Sequence, residues 1–288
     1  EVLIRVGACG INNTDIWTRI GAYGNAMDDT PSSGWRGGDF HFPRIQGADV
    51  VGNIEKVGIN VDTSRINERV IVNPTLYPSD KPEGLYEAGL LGSERDGGFA
   101  EYVTVPSGNA LNINSHLKDE ELATFMVSYL TAEHMLNRAE VTGKDRVLIT
   151  GASGGVGSAL MQLAKRRGAQ LIAITGKGKE EVVRAIGADL IIQRGVNIPS
   201  GMKDQGLENV DVVMDVVGGN QADQLLDALN SGGRLVIAGA IAEPIVNIDW
   251  RKIYLKHLNI YGSSMGTMQE AQDLVKYIEG SEIRPLLY

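Results

Sequence analysis

The sequence predicts an α/β protein in which a barrel-like, mostly β first half precedes a doubly wound parallel sheet. Three observations carry this. Beyond about residue 120, short apolar runs alternate regularly with helical stretches, the pattern of parallel βαβ units with right-handed crossovers. Before it, short β-like pieces are separated by glycine- and proline-rich loops. Within the alternating half, "TGASGGVGSA" (Thr150 to Ala159) follows an apolar run and opens a helical stretch.

Bulk properties narrow the function classes. The 288 residues suffice for two ordinary domains, each with its own core. Hydrophobic residues at 43% and charged residues at 22% fit a globular chain. No apolar run is long enough to span a bilayer, and no charged-then-apolar leader opens the sequence. The single cysteine excludes internal disulfides and multi-thiolate zinc knuckles, and it fits a reducing compartment. A cytoplasmic location without a membrane partner is therefore expected. A net charge of −9 argues against a nucleic-acid partner, because phosphate neutralisation needs clustered Lys and Arg.

Element by element, "EVLIRV" reads as a strand, with Val2, Ile4 and Val6 on one face at period two. The stretches "DVVGNIEKVG", "ERVIVNP" and "FAEYVTVP" read as further strands, and "NAMDDTPSSGWRGGDF" and "TLYPSDKPEGLYEAGLLGSERDGG" as long loops. In the second half, strand "RVLITGA" is followed by helix "SALMQLAKRRG", ending in basic residues and Gly168. Strand "QLIAIT", helix "KEEVVRAIG", strand "DLIIQ", strand "NVDVVMDVVGG", helix "QADQLLDAL" and strands "GRLVIAG" and "LNIYGSS" complete the series. The near-continuous apolar strands suit a sheet covered on both faces. No internal repeat or low-complexity tract is visible.

The glycine stretch has the strand–turn–helix context of a Rossmann dinucleotide fingerprint. The matching frame is Ala152-Ser153-Gly154-Gly155-Val156-Gly157, with alanine in place of the first glycine. Gly154 lets backbone approach a pyrophosphate, and Gly157 lets the helix pack on the strand. The amides from Ser153 through Gly155 to Val156 can point at phosphate oxygens. An acid at the end of the next strand would select NAD. Here the sequence reads Thr175-Gly176-Lys177-Gly178-Lys179, with no acid before Glu180. A hydroxyl residue beside Lys177 and Lys179 suits a 2′-phosphate, so NADP(H) is the expected cofactor. The alternative for both lysines is a solvated loop. Other strand ends that should face the cofactor are Val217 with Gly218, Ala238 with Gly239, and Gly262 with Ser263; each could equally be an ordinary strand-ending turn.

The stretches "GINNTDIWTRIGAY", "GADVVGNIEKVG", "DGGFAEYVTVP", "YLTAEHML", "GASGGVGSALMQLAK", "IGAD" and "DVVGG" occur in the order and spacing of the medium-chain dehydrogenase/reductase superfamily, which the chain resembles over nearly its whole length. The resemblance implies a GroES-like catalytic domain (1–120), a Rossmann domain (121–264) and the start of a return to the catalytic domain (265–288), with the nicotinamide in a cleft between them. It also implies a homodimer or homotetramer, and a short piece missing at each end. Zinc-dependent members would carry ligand cysteines at Asn12 and near Val127, a ligand histidine at Ala48, and four structural-zinc cysteines between Thr75 and Gly97. All are absent, and Cys9 matches the family's non-ligand cysteine, so no metal is expected and Cys9 reads as a small core residue. Asn12, Asp15, Arg19, Gly21 and Tyr23, with Gly47-Ala48-Asp49, are similar to the zinc-free quinone oxidoreductase branch. An insertion around Asn25 to His41 and a long Thr75–Gly97 loop depart from that branch.

These readings point to hydride transfer to a small-molecule carbonyl, a quinone or an α,β-unsaturated carbonyl, which delocalises the incoming charge without a Lewis acid. Asn12 could donate to the developing enolate oxygen or stabilise a turn. Tyr23 could line the pocket, donate a proton or only pack. Thr131 resembles the family threonine near the nicotinamide. Asp49 reads as structural, His134 as packed and His41 as a solvated loop residue, while His116 and His257 carry no signal. An alcohol or aldehyde dehydrogenase, and a cofactor-binding protein with little turnover, remain as alternatives.

Overall fold

The period-two run at the start of the chain forms strand β1 (Val2–Gly10), and helix α1 (Asn13–Arg19) follows it directly. Val2 and Ile4 are buried, but Val6 is only half-buried. Val6 nonetheless packs against the same apolar cluster as Val2 and Ile4, and the pairing of β1 with β2 (Asp49–Val57) shifts register between Leu3 and Ile4 and again between Val6 and Ala8. β3 (Arg69–Val72), β6 (Tyr102–Val105) and β7 (Ala110–Asn112) complete an antiparallel sheet of order β6-β1-β2-β3-β7. The inward β-branched residues Val2, Ile4, Val50, Ile54, Val70, Val72, Val103 and Val105 make one apolar cluster. The stretch from Thr75 to Gly98, expected as loop throughout, contains a small ribbon of β4 (Thr75–Leu76) against β5 (Gly89–Leu90). Two-residue strands are too short for a periodicity signal.

The coordinates are a computed structural model that describes residues 1–23, 35, 41–78 and 84–286. Of the expected insertion at 25–41, only Trp35 and His41 fall among them. Two units divide the chain: Glu1–Leu130 with Gly266–Tyr288, and Thr131–Met265. The short helix α2 (Asp119–Leu122) precedes α3 (Met126–Arg138), and the division falls within α3 instead of at residue 120. A composition change marks where strand-like pieces stop, and a helix has no reason to end there.

In the second unit the expected alternation is present as β8 (Arg146–Ile149), α4 (Gly155–Arg166), β9 (Gln170–Thr175), α5 (Glu180–Ile186), β10 (Leu190–Gln193), α6 (Ile198–Lys203), β11 (Val210–Asp215), α7 (Ala222–Ala228), β12 (Leu229–Ile237), α8 (Trp250–Leu255) and β13 (Asn259–Gly262). Every pair is parallel, in the order β10-β9-β8-β11-β12-β13. Counted from β8 along the chain, that is the 3-2-1-4-5-6 order of dinucleotide-binding sheets. The fold is thus α/β as expected. α6 and α8 lie outside the expected helices; in α6 Pro199 and Gly201 interrupt the pattern, and Pro199 sits in the first turn, where its missing N–H costs nothing. The last helix, α9 (Met268–Glu279), belongs to the first unit, and its capping box pairs Thr267 with Glu270. Among the described residues no helix is long and apolar enough to cross a membrane.

Ile54 is fully buried in the first unit's cluster, whereas Ile59 is fully exposed. Ile54→Ala should lower unfolding stability by about 2–5 kcal/mol and Ile59→Ala by no more than about 0.5 kcal/mol, read from urea midpoints.

Candidate functional site

The turn between β8 and α4 is built on a contact that excludes side chains. A Cβ at Gly157 would lie 2.1 Å from the Gly151 carbonyl oxygen, a backbone atom that cannot move aside. The first turn of α4 therefore seats directly on the strand-ending turn. Gly154 caps the helix in extended conformation, and its N–H donates to Gly151 O at 2.8 Å. Gly154 and Gly155 are exposed, Val156 is half-buried, and Ser153 and Gly157 are buried. The leading amides of α4 have no acceptor within the helix, so this exposed turn presents donors and the positive end of a helix dipole.

Neighbouring strand ends are tied to the same edge. Ala152 N–H donates to Ile174 O at 3.1 Å, and Thr150 N–H to Met214 O at 3.0 Å. The buried Asp215, not singled out from the sequence, fastens the next loop. Its carboxylate accepts from the Thr150 hydroxyl at 2.6 Å, from Val217 N–H at 3.0 Å and from Gly218 N–H at 3.2 Å. A Cβ at Gly239 would meet Val216 O at 2.7 Å, so Ala238 and Gly239 pass against the Val217–Gly218 loop. Ser263 N–H donates to Ile237 O at 2.9 Å, bringing exposed Gly262 and half-buried Ser263 to the same end of the sheet. These are the carboxyl ends of parallel strands, where ligands of such sheets bind.

At the end of β9, Thr175 is buried and its hydroxyl has no hydrogen-bond partner; the Ser263 hydroxyl is in the same condition. Gly176 is half-buried, while Lys177 and Lys179 are exposed. Arg194, just past β10, was missed from the sequence. Its N–H donates to Thr175 O at 2.7 Å, and its Nη2 lies 3.4 Å from where a Cβ on Gly176 would stand. Only parallel pairing of β10 with β9 brings it there, and no local pattern encodes that pairing.

In the first unit, Asn12 stands at the N-terminus of α1. Its N–H donates to Asp15 Oδ2 at 2.8 Å, and its side-chain Nδ2 donates to Asp49 Oδ2 at 3.1 Å. Asp49 Oδ1 accepts the Val127 N–H at 3.2 Å, and Asp15 Oδ1 accepts the Gly47 N–H at 3.2 Å. Asp49 is almost wholly buried, and burial pushes its carboxyl up to about 7; Asp15 is raised in the same direction by burial. Burial, reinforced by Asp49 and Asp15, pushes the Cys9 thiol up to about 12. Cys9 packs against the first unit's apolar cluster, so it is a neutral filler at physiological pH. Among the described residues no three His, Cys, Asp or Glu side chains group so as to hold a metal ion.

Tyr23 lies beside this cluster: its hydroxyl is 2.7 Å from Thr14 Oγ1 and its ring packs against Trp17 in a tilted arrangement, 5.6 Å between centroids. Burial raises its phenol above the usual range, which makes it a hydrogen-bonding group more than an acid. Thr131, in the second unit, is buried with Oγ1 3.9 Å from Met265 Sδ. His134 is half-buried, and His41, His116 and His257 are exposed.

The family described as alcohol dehydrogenase GroES-like domain matches residues 1–115, and that described as zinc-binding dehydrogenase matches residues 155–280. A solved protein of Sinorhizobium meliloti 1021, named as an alcohol dehydrogenase, superimposes with a TM-score of 0.93 at 48% identity over 99% of this chain and 80% of its own. The chain belongs to the medium-chain dehydrogenase/reductase superfamily. Its first unit is therefore the GroES-like domain of these oxidoreductases, and its second the Rossmann-type one. Among other superfamily members, acryloyl-coenzyme A reductase of Sulfurisphaera tokodaii is 29% identical, over all of this chain and 84% of the relative. The quinone oxidoreductase of Homo sapiens is 26% identical over 98% of this chain and 78% of the relative. The 2-octenoyl-CoA carboxylase reductase CinF, solved with NADP and 2-octenoyl-CoA, superimposes with a TM-score of 0.83 at 26% identity over 99% of this chain and 72% of its own.

The raised Asp49 carboxyl also has a stability consequence. Between its ordinary 3.8 and about 7 the folded state holds a proton that the unfolded chain has released, so this contribution is present at low pH and lost as pH rises through 7. Asp49→Asn should remove it. The melting temperature of the variant relative to the unsubstituted protein should increase by at least about 3 °C between pH 5 and pH 8, measured by calorimetry.

Proposed function

We propose that this protein is an NADPH-dependent reductase of activated carbonyls, quinones or α,β-unsaturated carbonyls, that works without a catalytic zinc. The observation that carries the reading is the Asn12–Asp49–Val127 cluster. Where zinc-dependent superfamily members would place two thiolates and an imidazole, this chain has Asn12, Val127 and Ala48, and the Asp49 carboxylate beside Ala48 is bonded to the Asn12 amide and the Val127 N–H. Zinc fits this donor set poorly. Both Asp49 oxygens already accept hydrogen bonds, Asn12 turns its nitrogen inward, and the Cys9 thiol is held neutral.

A nicotinamide dinucleotide fits the second unit. At Gly157 and Gly239 any Cβ would clash with the Gly151 and Val216 carbonyl oxygens, which keeps the exposed turn at Gly154–Gly155 flush on the strand ends, and the orphaned hydroxyls of Thr175 and Ser263 lie at the same strand ends. Ser153 to Gly157 would hold the pyrophosphate, Val217–Gly218 and Ala238–Gly239 the nicotinamide half, and Thr175 to Lys179 the adenosine ribose. Arg194 beside Gly176 adds the planar guanidinium that best fits a 2′-phosphate, with Lys177 and Lys179 as flexible point charges. A bound nicotinamide would supply the hydride. In the first unit Asn12 would present an N–H to the acceptor's oxygen and Tyr23 would line its pocket, and in the second unit Thr131 would stand near the nicotinamide. The acceptor class is supported by the reductase and quinone oxidoreductase relatives and by the conjugation that lets such acceptors spread charge unaided.

The test is NADPH oxidation by EDTA-dialysed, metal-analysed protein with 1,4-naphthoquinone, an enone and a 2-enoyl-CoA thioester. Turnover with at least one acceptor, and none of simple alcohols with NADP⁺, is expected; turnover restored only by zinc would reverse the reading, and tight NADPH binding with no acceptor reduced would favour a non-catalytic role. Arg194→Ala should raise the Kd for NADPH by about tenfold or more and leave that for NADH within twofold, by fluorescence titration.

The assembly is also a proposal. Among the described residues β13 is an edge strand, its Ile260 is 42% exposed, and Trp250 and Leu255 of α8 are 70% and 68% exposed. A second copy paired along this edge would satisfy its backbone groups and cover the apolar side chains. Sedimentation should give a dimer or a larger even assembly, with Ile260→Lys shifting it toward monomer; a monomer at micromolar concentration would refute it.

A further inference from the structure

Resting on the reading of Asn12 as the acceptor-facing amide, we infer that Asp49 is a positioning residue: its carboxylate takes one N–H of the Asn12 amide and thereby commits the other to the acceptor's oxygen. An asparagine amide can present either its oxygen or its nitrogen, and the two ends do opposite work on a carbonyl. Something must decide between them. An ionised carboxylate only accepts hydrogen bonds, so the Asp49 Oδ2 contact at 3.1 Å forces the Asn12 nitrogen inward and fixes the amide plane. Asp49 cannot swing away, because its other oxygen is pinned by the Val127 N–H at 3.2 Å. Nor can Asn12 drift along the chain. Its N–H is held by Asp15 Oδ2 at 2.8 Å and its carbonyl by the Asp15 N–H at 3.1 Å. Asp15 is itself tied to Gly47 N–H, two residues before Asp49. Two carboxylates on two elements thus hold one amide at its backbone and at its side chain.

The same arrangement makes the amide responsive to pH. A protonated Asp49 becomes a donor, able to bond the Asn12 oxygen as readily as its other oxygen accepts from the nitrogen. The amide is then free to present the wrong end. The charged and titratable groups that bear on Asp49 are Asp15 from α1 and Cys9 from β1; from α3 it meets the backbone amides of Met126 and Val127. Among the described residues no cation bears on it, so burial is not offset and protonation falls near neutrality. The inference runs against the usual expectation for a reductase, whose net reaction consumes a proton. Activity should fall, not rise, as the solution becomes more acid through pH 7.

The test is kcat/KM for 1,4-naphthoquinone with saturating NADPH from pH 6 to pH 9, in the unsubstituted protein, Asp49→Asn and Asn12→Ala. The unsubstituted protein should lose about tenfold from pH 8 to pH 6, with an apparent pKa near 7. Asp49→Asn should be flat across this range at a lower level, and Asn12→Ala flat and lower still, with the Kd for NADPH within twofold in all three. An acid limb that persists in Asp49→Asn overturns the assignment. Should that variant fail to fold, persistence of the limb in Asn12→Ala overturns it equally, because the limb is assigned to the amide and not to a general loss of charge. Absence of turnover by the unsubstituted protein with every acceptor sinks the functional reading and this inference together; turnover with an unaltered limb sinks the role of Asp49 alone.

Discussion

Between Gly157 and the carbonyl of Gly151 there is room for a hydrogen atom and nothing larger. That contact sets how α4 meets β8, and much of the second unit follows from it. Because the helix starts flush on the strand-ending turn, its unpaired amides face outward beside the strand ends instead of into the core. Parallel pairing then stacks the ends of β9, β11, β12 and β13 at the same edge, and Asp215 binds the loop after β11 to Thr150. A larger residue at Gly157 would push the helix off the turn and scatter these groups together.

The first unit is organised by the opposite device, a charge kept where charge is costly. Removing a carboxylate from water is affordable only if its oxygens are hydrogen-bonded. Asp49 meets that need with an amide and a backbone N–H instead of a cation, and so remains poised between its two protonation states near neutral pH. On the proposed reading, the amide held by this carboxylate supplies a fixed dipole to an activated acceptor.

Much of this was legible in the sequence, for physical reasons that can be named. The apolar runs and helical stretches from Arg146 to Gly262 announce a parallel sheet because both faces of each strand are buried and short crossovers leave few topologies. The glycine frame at 152–157 is legible because a close backbone approach tolerates few residue types. What escaped reading is long-range. Arg194 reaches Gly176 only through the pairing of β10 with β9, and Asp49 reaches Asn12 across 37 residues of chain. The ribbon of Thr75–Leu76 with Gly89–Leu90 is too short for any periodicity to register.

The account's central claim is that hydride chemistry here draws on NADPH and on the protein's own dipoles. It is tested most directly by titrating metal-analysed protein with NADPH and with NADH under identical conditions, following nicotinamide fluorescence. Substoichiometric zinc together with at least tenfold tighter binding of NADPH is the predicted result, since Arg194, Lys177 and Lys179 stand at or beside the end of β9 with no acid from Thr175 to Lys179. Tighter binding of NADH, or one bound zinc per chain, would contradict it.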